Sequence, residues 1–474
     1  MKILFINPSG GYYHEYPPLG ILYVASYARG NGYSVSFFDQ GAFPCGEYHR
    51  LLDTVDAFRP EIFAFSLYTT NLNHTYSVIK LLKDRYPAVT LVAGGPHATA
   101  LPQRTLAECP ELDFIIYGEG ERTMVELAAA LEKGLGLDGV DGIYYRSRDN
   151  IVNTKPRQLI EDLNTLPFPA YELSKSFSYQ LDPVKKGKRV ATLMSSRGCP
   201  HHCAFCSKAV FGNTYRRRSP RNVVAEMLYQ KSQLNADEVY FMDDLFASDK
   251  EWLKGFYNEL EKNNINMPWK CLARVRGLDC DDYLKMKNHG CYVIQFGVES
   301  GSDAVLKGIN KGISRADCLR AFKEARQAGL NTYGFFIFGH RQDNVLTIKE
   351  TLEFAKLLNP DFVAFFTLVP FPGTDAYEFI EEKLKFAWER IRYVWVGPRK
   401  YLPISICSVD SQDLVIFEAD AGFEFYGRLR YLWENVIFSR TGIVMKWLKF
   451  KYFIYHGLRK IKHLIKGDCA FRIR

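Results

Sequence analysis

Three cysteines stand close together in Cys199-Pro200-His201-His202-Cys203-Ala204-Phe205-Cys206. Thiolates at these offsets on one loop can converge on a metal centre. Three of them on a four-iron, four-sulfur cluster would leave one iron open for a substrate. A structural zinc site built from the three thiolates with His201 or His202 is the alternative, because such sites also use close cysteine spacing. Structural zinc normally draws its ligands from two separated pairs, and no second pair lies nearby, so an iron-sulfur cluster is expected on this loop.

Other residues with chemical potential fall at intervals. Asp243 and Asp244 end Phe241-Met242-Asp243-Asp244 and can accept hydrogen bonds from an ammonium, although an acid after a strand also serves as a helix N-cap. Arg274 carries a fork suited to a carboxylate, and Glu299 and Ser300 close the run Phe296-Gly297-Val298-Glu299-Ser300-Gly301. Alone, each reads equally well as a salt bridge on a barrel rim. Gly339 ends Gly334-Phe335-Phe336-Ile337-Phe338-Gly339, and Pro370-Phe371-Pro372-Gly373-Thr374 follows, where glycine lets backbone approach a flat ring.

These positions fall at the ends of short apolar runs. Runs at 191–195, 239–242, 270–273, 293–298, 333–338 and 363–369 alternate with helical stretches, and six such units predict a partial (βα)6 barrel, short of the eight of a full one. Before them, runs at 3–7, 35–38, 62–67, 90–93 and 114–117 alternate with helices and predict a doubly wound parallel sheet, an α/β fold binding ligands beyond its strands' carboxyl ends. The rhythm breaks between about 139 and 188, where Pro156, Pro167, Pro169 and Pro183 occur. The expected division is therefore a front domain at 1–138, a linker at 139–188, the barrel at 189–382 and an aromatic, basic extension at 383–474.

The cysteine set, with Phe205 and the five strands after it, resembles the radical S-adenosylmethionine superfamily. That resemblance implies a 4Fe-4S cluster on Cys199, Cys203 and Cys206, with S-adenosylmethionine on the open iron. Asp243 and Asp244 would receive its amino group, Arg274, Glu299 and Ser300 its carboxylate and ribose, and Gly339 its adenine. In the front domain, Ser66, Gly94-Gly95-Pro96-His97, Gly118-Glu119-Gly120-Glu121 and Pro17-Pro18-Leu19-Gly20 resemble the cobalamin-binding branch of the same family. Tyr68, Thr70, Asn71 and Asn73 are implied beneath the corrin. A flavodoxin-like domain for another ligand is the alternative reading of the glycine-rich turns alone. The Asp-x-His-x-x-Gly turn that ligates cobalt is missing, since His14 has Tyr12 and Pro17 where Asp and Gly would stand. Cobalamin with its base displaced and no protein histidine on cobalt is the expectation.

Composition narrows the field. Eleven cysteines, eight of them scattered, exclude an extracellular disulfide framework. The start Met1-Lys2-Ile3-Leu4-Phe5-Ile6-Asn7-Pro8 lacks the apolar core of a signal peptide, and no apolar run is long enough to span a bilayer, so a cytoplasmic protein is expected. The net charge of +8 resides in the tail, where Arg440 to Arg474 hold ten Lys or Arg against Asp468 alone; a nucleic-acid-binding surface is not indicated. With Trp447, Phe450, Tyr452, Phe453 and Tyr455 among its lysines, the tail either lies on a membrane surface or caps the open barrel with solvated lysines.

The two cofactors together imply methylation of an unreactive carbon in a small-molecule or lipid-like substrate, fed by a reductant such as flavodoxin or ferredoxin. A radical cyclase or ring-rearranging enzyme is the alternative on the same scaffold. A cobalamin-binding sensor without catalysis is the alternative of another class, and the intact cysteine set argues against it.

Overall fold

The computed structural model describes residues 1–9, 14–43, 48–148, 150–177, 179, 184–380, 403–438 and 445–454. Tyr12, Cys45, Pro183, Glu382, Arg440 and the stretch 455–474, which entered the sequence reading, lie outside the described residues.

The first sheet contains β1 (Lys2–Asn7), β2 (Ser34–Asp39), β3 (Ile62–Ser66), β4 (Thr90–Gly94), β5 (Phe114–Ile116), β6 (Ile143–Ser147) and β7 (Asn150–Asn153), in the order β2-β1-β3-β4-β5-β6-β7. The first five strands are parallel, and β6 and β7 add antiparallel to the edge. Strands this apolar must be covered on both faces, and every residue of β3 is buried. Helices Leu19–Gly30 and Gly120–Lys133 bury Phe5, Ala64, Val92 and Ile116 on one face; Tyr48–Phe58 and Leu72–Arg85 bury Leu4, Phe63 and Leu91 on the other. The second core also contains Leu368, Tyr377 and Ile406, so the later half of the chain packs directly on the front domain.

The second sheet is made of β8 (Val190–Leu193), β11 (Glu238–Phe241), β12 (Trp269–Ala273), β13 (Cys291–Glu299), β14 (Asn331–Phe338) and β15 (Phe362–Thr367), all parallel and in sequence order from β8 to β15. It is a partial barrel: among the described residues β8 and β15 do not pair with each other. Between β8 and β11, the two-residue strands β9 (Ser196–Arg197) and β10 (Arg216–Arg217) pair antiparallel and clasp the base of the cysteine loop.

An open edge strand leaves ladder groups to be satisfied. Helix Ser411–Tyr426, from a region whose sequence looks irregular, supplies the partners. Tyr426 Oη accepts from the Val363 amide at 2.7 Å and donates to the Val363 carbonyl at 2.9 Å, and Glu418 accepts from the Thr367 amide at 2.8 Å. Helix 445–454 continues this cover. Its Lys449 is buried and ion-paired with Asp361, which corrects the expectation that the tail's lysines are solvated: a carboxylate at the start of β15 compensates that cation.

Candidate functional site

The cysteine loop begins at Gly198, whose φ of +81° and position allow no side chain: a Cβ there would lie 2.3 Å from the Thr214 carbonyl oxygen. The far side of the loop is tied to the segment after β13, with the Ala204 amide donating to the Ile309 carbonyl at 3.0 Å and Asn310 Nδ2 to the His202 carbonyl at 2.9 Å. Cys199, Cys203 and Cys206 are all free thiols. Although Cys206 as a residue is exposed, its thiol is pushed up to about 11 by desolvation and then by Asp244, Cys203 and Cys199 nearby. Crowding of this kind disfavours the thiolate form, and a positive metal centre would relieve it. Among the described residues no three His, Cys, Asp or Glu side chains, the three thiols included, close on a single ion.

The two acids after β11 divide. Asp243 is buried and accepts from the Ser195 amide at 3.1 Å, Ser195 Oγ at 2.7 Å and Ser196 Oγ at 2.5 Å, which fastens the end of β11 to that of β8. Burial lifts its carboxyl to about 6 against the pull of those donors. Asp244 lines the large cavity instead; desolvation raises its carboxyl, while the Gly198 amide and Lys208 lower it.

Arg274 reaches Cys203 Sγ at 3.9 Å and the carbonyl of Lys311. Glu299 holds Lys311 Nζ at 2.5 Å, and its φ of +69° is a strained backbone at the end of β13, where the register with β14 shifts. Ser300 Oγ is bonded to Thr351 Oγ1 at 3.1 Å and accepts from the Ser302 amide at 3.1 Å, which shapes the turn. Phe205 packs 5.4 Å from the His340 ring and borders a small cavity of about 110 Å³ with Ile309, His340 and Leu368. The Gly339 amide is fixed by Asp343 at 3.0 Å.

On the front side, a cavity of about 360 Å³ runs from the first sheet to the cysteine loop. Its walls include Phe5, Val24, Ala64, Val92, Ile116 and Met124, an apolar slot between sheet and helices, together with Ser66, Tyr68, Gly94, Gly95, Pro96, Gly118 and Gly120. Met194, Ser207 to Gly212 and Asp244 of the second half complete them. Gly95 has φ +94°, and a Cβ there would sit 3.0 Å from the Leu67 amide nitrogen and carbonyl oxygen. Slot, glycine cradle and thiol set fit cobalamin beside an iron-sulfur cluster. Of the expected contacts, Pro17, Pro18, Leu19, Thr70, Asn71, Asn73 and His97 are not among these walls. His97 is buried beneath, bonded to Thr69 Oγ1 at 2.9 Å, and is held down at about 3 by desolvation and Arg104.

Glu119 and Glu121 line the cavity and also make buried ion pairs. Glu119 pairs with Arg197 at 2.8 Å and Arg216 at 2.9 Å, and accepts from the Ile160 amide at 2.7 Å; Glu121 pairs with Arg197 at 2.6 Å. Sequence reasoning missed Arg197 and Arg216. Their only local signal is that they flank the cysteine loop.

A corrin slot opening onto a three-thiol loop defines a cobalamin and S-adenosylmethionine radical protein. The B12 binding domain family matches residues 10–128 and the radical SAM superfamily residues 193–355. An uncharacterized methyltransferase of Pyrococcus horikoshii is 31% identical over 91% of this chain and 92% of its own, and the anaerobic magnesium-protoporphyrin IX monomethyl ester cyclase of Rubrivivax gelatinosus is 28% identical over 83% and 73%. The chain therefore belongs to the cobalamin-binding radical S-adenosylmethionine family. Its fold is similar to that of the cobalamin-dependent S-adenosylmethionine radical enzyme OxsB, with a TM-score of 0.73 at 16% identity over 99% of this chain and 73% of the other. The radical S-adenosylmethionine methyltransferase TsrM of Kitasatospora setae gives 0.68 at 16% identity over 87% and 82%.

Proposed function

We propose that this chain methylates an unactivated carbon of a small-molecule or lipid-like substrate. When bound, the cluster with S-adenosylmethionine supplies a hydrogen-abstracting radical and cobalamin supplies the methyl group. The observation that carries the reading is the shared cavity, which has Ser66, Gly94 and Gly95 in one wall and Ser207, Lys208 and Asp244 in the other.

The residues take the following parts. Cys199, Cys203 and Cys206 hold the cluster, and Arg274 steadies the Cys203 side of the loop. Asp244 accepts from the ammonium of S-adenosylmethionine, while Asp243 holds the strand ends that aim it. Glu299 orients Lys311, whose ammonium stands 5.5 Å from the Phe205 ring. The apolar slot receives the displaced base of cobalamin. No histidine is assigned to cobalt, because His97 is turned onto Thr69 and His14 lies 2.6 Å from Asp39. A flavodoxin or ferredoxin is the proposed electron donor, and 1–138, 139–188, 189–382 and 383–474 are the proposed divisions.

Ring closure is the second reading, favoured by the relative named as a cyclase. To separate the two, the full chain is reconstituted without oxygen with iron, sulfide and hydroxocobalamin, then given methyl-labelled S-adenosylmethionine and reductant. About four irons and one cobalt per chain, with label moving to an added acceptor, would support the methyltransferase. Iron without cobalt, or deoxyadenosine formation with no label transferred to any acceptor tried, would turn the case toward the alternatives.

A further inference from the structure

Past the helix that covers β15, the chain turns apolar side chains outward. In the helical segment from Leu429 to Ile437, Tyr431 and Asn435 point inward, Tyr431 Oη donating to the Asp361 carbonyl at 2.8 Å and Asn435 Nδ2 to Asn359 Oδ1 at 3.1 Å. Leu429, Trp433 and Ile437, four residues apart, occupy the other side and are exposed, as is Phe438 stacked on Trp433 at 5.6 Å. Helix 445–454 repeats the pattern: Met445 and Lys449 are buried and Tyr452 packs 5.8 Å from Phe362, whereas Trp447, Lys451 and Ile454 share the outer stripe at helical spacing. Lys446 Nζ donates to the Ile437 carbonyl at 3.1 Å, which ties the start of the second helix to the end of the first segment.

Trp447 is 56% exposed and Phe438 71%, values far from those of a packed aromatic. Contiguous apolar surface of this kind marks an interaction site. Cations interleave with it: Lys446 and Lys451 on the second segment, the latter 5.2 Å from the Trp447 ring, and on the first Arg430, which Glu434 pairs at 2.9 Å. Self-association through this face would set these cations against one another. Nucleic acid would use the rings for stacking but leaves Leu429, Ile437 and Ile454 without a role. An anionic lipid surface satisfies both components, with Trp and Phe at headgroup depth and Lys on the phosphates.

We propose that this face seats the protein on the surface of an anionic membrane. Among the described residues no helix is long and apolar enough to cross a bilayer, so the contact is peripheral. Both segments grip Asp361 and Phe362 at the amino end of β15, whereas the cysteine loop lies at the strands' carboxyl ends. Docking therefore leaves the cofactor cavity clear, and the proposal stands apart from the methylation reading.

The test is co-sedimentation of the full chain with vesicles of phosphatidylcholine, alone or mixed equally with phosphatidylglycerol, at low and high salt. Salt-sensitive binding to the mixed vesicles is expected. The Trp433→Ser, Phe438→Ser, Trp447→Ser triple variant should bind about tenfold more weakly or worse, with cobalamin uptake unchanged. Lys446→Gln with Lys451→Gln should weaken it about fivefold for each charge lost. Equal binding to both vesicle types, or no binding by the wild type, would overturn the proposal. So would a dimer broken by Trp447→Ser in a chain that ignores vesicles, or retention on single-stranded RNA alone.

Discussion

Glu121 Oε1 stands 2.6 Å from Nη2 of Arg197, a residue 76 positions later, and both side chains are buried. One belongs to the front domain and the other to the clasp beneath the cysteine loop. Glu119 and Arg216 complete a quartet of two acids and two guanidinium groups with no formal net charge, the arrangement in which buried ions are tolerated. Arg197 also lies 4.9 Å from the Tyr23 ring and 5.1 Å from that of Phe211. The wall of the corrin slot and the base of the cluster loop are thus one electrostatic unit.

Removing one member leaves another uncompensated. Glu121→Ala is expected to cost on the order of 3 kcal/mol. It should also loosen the cysteine loop. Denaturant midpoints and amide exchange across 197–217 measure both; an unchanged midpoint would show the quartet to be dispensable.

Cys203→Ala removes one of three thiol ligands. Iron content after reconstitution should fall, and S-adenosylmethionine cleavage should be lost. Cobalamin uptake should persist, because none of the three cysteines lines the slot. Retained cleavage would sink the cluster assignment.

Gly95→Ala puts a Cβ 3.0 Å from the Leu67 backbone at a φ of +94°. Cobalamin affinity should drop about tenfold or more. In the wild type, the electron paramagnetic resonance of Co(II) should lack the splitting of an axial nitrogen. A nitrogen triplet would reassign a histidine or the cofactor's base to cobalt.

Asp243 titrates in the fold at about 6, above its ordinary value of 3.8. A raised carboxyl favours the protonated fold, so its contribution is complete below pH 4 and is lost as pH climbs through 6. That loss is on the order of 3 kcal/mol. Asp243→Asn should flatten this part of the stability profile, measured by urea midpoints from pH 4 to 7; an unaltered slope would assign it to other groups.

What could be read in the sequence was what is local to it. Cys199, Cys203 and Cys206 announce themselves by spacing, and the parallel strands of both sheets by short apolar runs. Glu119 and Glu121 looked like cavity residues, which they are, but their partners lie too far along the chain for any pattern to join them. The bonds of Ser300 to Thr351 and of His97 to Thr69 lie across the fold, where no sequence pattern reaches. The hairpin β6–β7 hid in a proline-rich stretch because a short edge pair carries little periodicity. Helix Ser411–Tyr426 hid because it is apolar on several sides, as a helix closing an edge strand must be.

The buried quartet also bears on how such proteins recombine. A chimera that exchanges the corrin half between relatives at the linker imports acids selected against one pair of arginines and sets them beside another. The two halves are held together electrostatically through these four positions, and an exchange should succeed only where Glu119, Glu121, Arg197 and Arg216 travel together or are matched in kind.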